Sequence, residues 1–224
     1  MSAPSRHGSD SRRAQCEGAH VRWLGVAFAT LLAVGSVQAQ SVAQLASNVC
    51  DVCHGHDGNS PHALTPSLAG QIAPYIERQL HAFAAQGQQR ANGIMGAIAV
   101  HLSAAEMKRI AAYYARLPLR PAPFSDLAAS AAGAAIYFDG IPEKGVASCA
   151  SCHGVLAEGA ADAYPRLAGQ HAAYLAEQLR QFRSLRRTTD PGRVMRRAAA
   201  GMSNQDIEAV ALFSSRLSLA QEPQ

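Results

Sequence analysis

Apolar side chains recur at helical spacing along this chain, and no stretch alternates as a strand would. Between Ala73 and Ala85, the residues Tyr75, Ile76, Gln79, Leu80 and Phe83 share one helical face. Ser103-Ala104-Ala105-Glu106 has the form of a capping box. It predicts a helix that runs through Ile110 and Tyr114 and stops before Pro118. A short helix is predicted over 41–53. A loop with Gly87, Asn92 and Gly93 then leads to Met95. The C-terminal half predicts an alanine-rich helix over 126–138 and a loop with Gly140, Pro142 and Gly145. A helix over 172–185, a loop through Asp190-Pro191-Gly192 to Met195, and a capped helix from Ser203 to about Leu217 follow. The expectation is an all-α protein.

The two halves repeat each other. At an offset of 99, Pro66-Ser67-Leu68-Ala69-Gly70-Gln71 falls on Pro165-Arg166-Leu167-Ala168-Gly169-Gln170. Tyr75, Gln79, Leu80 and Phe83 fall on Tyr174, Gln178, Leu179 and Phe182. One inserted residue shifts the offset to 100, where Met95 meets Met195, and Ser103 and Glu106 meet Ser203 and Asp206. This period exceeds that of solenoid repeats, so it reads as a duplicated domain. The expected division is one domain over 40–118, a stiff linker over 119–125 bearing Pro121 and Pro123, and a second domain over 126–224.

Residues 1–39 read as a secretory signal that is removed. Arg12, Arg13 and Arg22 precede an apolar run from Trp23 to Val37, and Val37-Gln38-Ala39 resembles a cleavage site. The run is shorter than the roughly 20 residues a membrane-spanning helix needs. An uncleaved anchor is the alternative, as is a later translation start at Val21. The leader holds four of the 20 basic and two of the 16 acidic residues, leaving about 185 residues with a net charge of +2. That balance argues against a nucleic-acid partner. Cys16 leaves with the leader, and the remaining four cysteines are committed elsewhere, so no disulfide is expected. Two domains this small have modest cores of their own.

Those four cysteines form Cys50-Asp51-Val52-Cys53-His54 and, 99 residues later, Cys149-Ala150-Ser151-Cys152-His153. C-x-x-C-H is the attachment signature of a c-type haem. Two thiols three positions apart lie on one side of a helical turn and can bond both vinyl groups of one porphyrin edge. The following histidine then presents its imidazole to the iron. A four-cysteine zinc site would want its pairs about 15–20 residues apart, and a thioredoxin-like pair would want a βαβ context. The doubled motif in matching surroundings favours two covalently bound haem c groups. Buried edge-on, each would also supply apolar core.

The sixth ligand decides the chemistry. Candidates are Met95, Met107, His56, His62, His81 and His101 in the first half, and Met195, Met202 and His171 in the second. Met107 pairs with Ile207 and Met202 with Leu102, so both read as core positions. His171 pairs with Ile72, His101 with Gly201, and His81 with Arg180, which leaves these histidines as surface or capping residues. Only Met95 and Met195 are the same ligand type in both halves, each about 42 residues after its motif histidine. Metal ligands are therefore expected to be His54 and Met95, and His153 and Met195. Such an iron has no vacancy for a substrate and passes electrons rather than making bonds. Pro66 and Pro165, 12 residues after the histidines, either accept the imidazole N–H or merely shape a turn. Arg183, Arg186, Arg187, Arg193, Arg196 and Arg197 crowd the second methionine, to neutralise haem propionates or to form a solvated or docking face.

With the leader, the duplication, both haem motifs, the P-x-L-A-G-Q repeats and both methionines, the chain resembles the dihaem cytochrome c4 family. The most specific stretch runs from Met195 to Asp206 and continues as Ser203-Asn204-Gln205-Asp206-Ile207. The resemblance implies two tandem class I cytochrome c domains related by a pseudo-twofold axis, with their haems near each other at the interface. It implies a periplasmic electron carrier rather than an enzyme, taking electrons from a quinol:cytochrome c oxidoreductase and passing them to a haem–copper terminal oxidase. Peripheral association with membrane complexes would follow. The helix before Cys50 is shorter than the family leads one to expect. Competing readings are the cytochrome subunit of a flavocytochrome sulfide dehydrogenase and a dihaem peroxidase. The latter needs one iron that can open, against which the duplicate methionines argue.

Overall fold

Ser41 starts the first helical segment with a reciprocal cap. Its hydroxyl accepts from the Gln44 N–H while the Gln44 side chain accepts from the Ser41 N–H. Helix α1 (Val42–Leu45) runs through a π turn (Ala46–Cys50) into α2 (Asp51–His54), which carries the first haem motif. The computed structural model describes residues 41–85, 90, 93–120, 131–160 and 164–217. The expected leader (1–39), the linker prolines Pro121 and Pro123, and the start of the alanine-rich helix (126–130) lie outside the described residues. So does most of the loop predicted before Met95.

The first half continues with α3 (Ala73–Ala84), α4 (Gly93–Ala99) and α5 (Ala104–Ala115). The second contains α6 (Ala131–Asp139), α7 (Ala150–His153), α8 (Ala172–Arg183), α9 (Val194–Ala200) and α10 (Asn204–Arg216). Both predicted capping boxes form, Ser103 with Glu106 and Ser203 with Asp206. Among the described residues there is no strand, only three isolated bridges. One difference concerns the methionines. They follow their loops immediately but sit in the first turn of short helices, α4 and α9.

Each half has its own core. In the first, Ile76 and Leu80 of α3 meet Met107, Ile110, Ala111 and Tyr114 of α5, with Ala46 beneath. In the second, Ile136 and Tyr137 of α6 meet Ile207, Val210 and Phe213 of α10, with Leu175 and Met202 alongside. The α6–α10 crossing needs glycine. A Cβ on Gly133 would run into the Ala209 carbonyl and come 2.8 Å from the Phe213 Cβ. Met107 and Met202 are both buried in these cores, as the repeat predicts.

Candidate functional site

The two motif helices end alike. Gly55 and Gly154, directly after the histidines, take φ +82° and +85°, values open to glycine at little cost. The chain thus turns away as soon as the imidazole is placed. His54 and His153 are buried, and their Nδ1 atoms lie 2.8 Å from the carbonyl oxygens of Pro66 and Pro165. A carbonyl can only accept, so Nδ1 carries the hydrogen and Nε2 keeps its lone pair. This settles the role of the two prolines: they accept from the imidazoles. Burial pulls both histidine pKa values below the ordinary range, although the proline carbonyls oppose it. Burial thus favours the neutral ring at both positions. The Nε2 of His153 is buried and has no hydrogen-bond partner, an orphan that a metal would satisfy.

Both histidines, all four motif cysteines, Met95 and Met195 line one cavity of about 750 Å³ that reaches into both halves. Aliphatic and aromatic side chains such as Ile76, Leu80, Ile98, Leu175 and Val194 make up much of its wall. The four motif cysteines form no disulfide, and no three His, Cys, Asp or Glu side chains among the described residues cluster to hold a metal. The four-cysteine zinc arrangement thus has no geometry behind it. Met202 also reaches the cavity wall, but so does its counterpart Leu102, which makes that position apolar lining. Met107 does not line it. His56, His62, His81, His101 and His171 stay off the wall. His56 is exposed and bonded to Asp51, and His81 stands near Glu77.

The sequence reading missed Arg90. Arg90 and Arg187 meet as an isolated antiparallel bridge at the seam, and both side chains are buried. Arg90 donates to Gln79 Oε1 (2.6 Å), Tyr174 Oη (2.6 Å) and Gln178 Oε1 (3.1 Å). Arg187 mirrors it, donating to Gln178 Oε1 (2.8 Å), Tyr75 Oη (2.9 Å) and Gln79 Oε1 (3.0 Å). Each guanidinium also lies over a phenyl ring, Arg90 on Phe83 and Arg187 on Phe182. Burial raises the pKa of Tyr75, but the charges of Arg187 and Arg90 outweigh it and hold it below the usual value. Among the described residues neither arginine has a carboxylate within ion-pair distance. Asp190 lines the same cavity and acts on Arg187 through its charge, but it is ion-paired with Arg196, so two buried cations without a direct carboxylate partner match the carboxylates a haem would bring. The available sequence signal was Arg90 itself, a lone basic residue in a glycine- and glutamine-rich loop.

Of the six arginines flagged in the second half, Arg187 alone belongs to this pair. Arg196 is tied to Asp190 (2.7 Å), Arg183 to Met202 O and Asn204, Arg186 to Glu177, and Arg197 to Gly192 O. His171 is not a free surface residue: its Nε2 lies 2.9 Å from Ser60 O in the other half. Two glutamines also cross the seam. Gln170 Oε1 accepts from the Ser67 N–H (2.9 Å) and its Nε2 donates to Ser67 O (2.9 Å). Gln71 does the same to Arg166, at 2.9 and 3.0 Å. Apart from His171 with Ser60, these cross-seam contacts recur with the halves exchanged, as a pseudo-twofold axis requires.

Two family models match the chain, "Cytochrome c" over residues 130–216 and "Cytochrome C oxidase, cbb3-type, subunit III" over residues 37–113. Among curated proteins, the cytochrome c4 of Thiocapsa roseopersicina is 42% identical over 176 residues, covering 77% of this chain and 89% of that one. The thiosulfate dehydrogenase electron acceptor of Thiomonas intermedia is 38% identical, covering 72% and 75%. Among solved structures, reduced recombinant cytochrome c4 from Pseudomonas stutzeri superposes with a TM-score of 0.73 at 34% identity. It covers 80% of this chain and 100% of that chain.

Proposed function

The chain belongs to the cytochrome c4 family, an electron carrier with two covalent haem c groups, and from that premise we propose how its residues hold and use them. Cys50 and Cys53 hold one haem and Cys149 and Cys152 the other. His54 and Met95 close the first iron, and His153 and Met195 the second. Held by an imidazole and a thioether from this chain, each haem would supply a one-electron couple at raised potential. What this chain's residues add follows from their positions. The proline carbonyls fix the imidazole tautomer and make each ring a better donor. The apolar wall keeps water out. Arg90 and Arg187 would hold the haem carboxylates at the seam.

The observation that carries this reading is the orphaned Nε2 of His153 on the wall of a cavity that Met195 also lines. The domain division over 40–118, 119–125 and 126–224, with removal of residues 1–39, is proposed with it. The leader's apolar run supports a periplasmic location, and no helix among the described residues is long and apolar enough to cross a membrane. There the protein would carry electrons from a quinol:cytochrome c oxidoreductase to a terminal oxidase. The test is carbon monoxide. With both irons closed, the fully reduced protein binds little or none near neutral pH, and stoichiometric binding at one haem would refute the assignment.

A second reading places it after a thiosulfate-oxidising enzyme. It is favoured by the similarity to a protein named thiosulfate dehydrogenase electron acceptor. Stopped-flow reduction of the oxidised protein by each candidate donor separates the two readings.

A further inference from the structure

The Pro66–Ser67 peptide is held at both ends. Its carbonyl oxygen accepts the Nδ1–H of His54, at 2.8 Å, within the same half. Its N–H donates to Gln170 Oε1 of the other half, at 2.9 Å. The Pro165–Arg166 peptide is its mirror image, accepting from His153 Nδ1 (2.8 Å) and donating to Gln71 Oε1 (2.9 Å). Ser67, Gln71 and Gln170 are all buried, which limits competition from water. One amide group thus links each motif histidine to a glutamine from the opposite half.

Amide resonance makes the two bonds interdependent. When the N–H donates, electron density moves toward the carbonyl oxygen, which then accepts more strongly. A stronger acceptor on Nδ1–H leaves the imidazole more electron-rich, and hydrogen bonding beyond the ligand is a recognised lever on a haem's potential. We propose that Gln170 and Gln71 are positioning residues, each tuning the reduction potential of the haem bound in the opposite half through the peptide that anchors its histidine. The inference rests on the His54 and His153 ligation proposed above. Its direction is fixed: removing the glutamine weakens the proline carbonyl, makes the histidine a poorer donor to ferric iron and raises the potential.

Cooperative strengthening of about 10–30% in one neutral hydrogen bond corresponds to a roughly 1.2- to 1.7-fold change in the ferric-to-ferrous ratio at fixed potential, or about 5–13 mV at 59 mV per decade. The experiment uses the intact dihaem protein with Gln170→Met and Gln71→Met. Mass spectrometry and the thioether-to-iron band are read first. Two haems with both bands show that ligation stands whatever the potentials do. Spectroelectrochemical titration with haem-methyl NMR then assigns a potential to each haem. Gln170→Met raises the potential of the haem on Cys50 and Cys53 and leaves the other in place, and Gln71→Met does the reverse.

Gln170→Glu is the rescue variant. Its protonated carboxyl offers the same acceptor and donor to Ser67 and restores the original potential at pH below its pKa. If either Met variant fails to accumulate, the other and the Glu variant carry the same crossed comparison. A shift in the mutated half's own haem, equal shifts in both, or no shift in either would overturn the proposal.

Discussion

Arg187→Met weighs two opposed effects that differ in size. The Arg187 guanidinium makes four hydrogen bonds, to Thr189 Oγ1, Gln178 Oε1, Tyr75 Oη and Gln79 Oε1. Both glutamine oxygens keep a bond from Arg90, so only the threonine and tyrosine hydroxyls are stranded. Both residues are only half-buried, so at the lower end of about 1–3 kcal/mol per stranded group that costs about 2–3 kcal/mol. Against it stands relief of like-charge repulsion. Both cations touch the same glutamine oxygen, so they lie within about 6 Å, worth roughly 3 kcal/mol at an effective dielectric of 20. Without an anion at the seam the two terms nearly cancel. With haem carboxylates seated there, the substitution leaves a buried anion uncompensated, which costs about 3–5 kcal/mol. The holoprotein should therefore lose at least about 3 kcal/mol in denaturant unfolding followed by the haem bands, and both haem potentials should fall. A loss below about 1 kcal/mol with unchanged potentials would refute the role given to the arginine pair.

Other expectations follow from single positions. Met195→Ala removes the thioether-to-iron band from one haem, whereas Met202→Ala keeps both bands and costs about 2–5 kcal/mol of stability. Loss of a band in the second variant would reassign the ligand. Gly133→Ala gains about 1 kcal/mol of helix propensity but meets backbone at Ala209, where crowding costs about 1–3 kcal/mol or more. Its net effect is a lower midpoint in thermal unfolding confined to the second half, and an unchanged or higher one would mean that α6 shifts freely. N-terminal sequencing of the exported protein should begin at Gln40, and recovery of the leader with the protein in the membrane pellet would contradict cleavage.

The haem motifs, the helices and their caps were legible because each is a local pattern. Ser103 with Glu106 and Ser203 with Asp206 are three residues apart, and the cap forms whatever the rest of the chain does. The repeat added longer-range information by separating Met95 and Met195 from Met107 and Met202. It also pointed to Pro66 and Pro165, though only coordinates could decide between acceptor and turn. The seam was not legible. Arg90 and Arg187 stand at an offset of 97, out of register with the repeat, since the loop lengths around them differ. Gln71 and Gln170 were visible as a repeated pair, but a glutamine's partner 95 or 103 residues away leaves no local trace. His171, without a counterpart histidine, pointed to a surface or capping place; it stands at the N-cap of α8, and its ring also bonds across the seam.

The exchanged contacts between the halves amount to an isologous surface, one in which residue i meets j and j meets i. Gln71, Tyr75 and Gln79 with their second copies would serve equally to pair two separate identical chains. Within such a pair every substitution is made twice. Joining the copies in one polypeptide lifts that rule, and one place shows the freedom used. His171 bonds to the Ser60 carbonyl, while at the mirror position Ile72 packs where a Cβ on Gly159 would come within 2.8 Å of it. One side of the axis is polar and the other apolar, so the two haems of one carrier can take up different environments from a common blueprint.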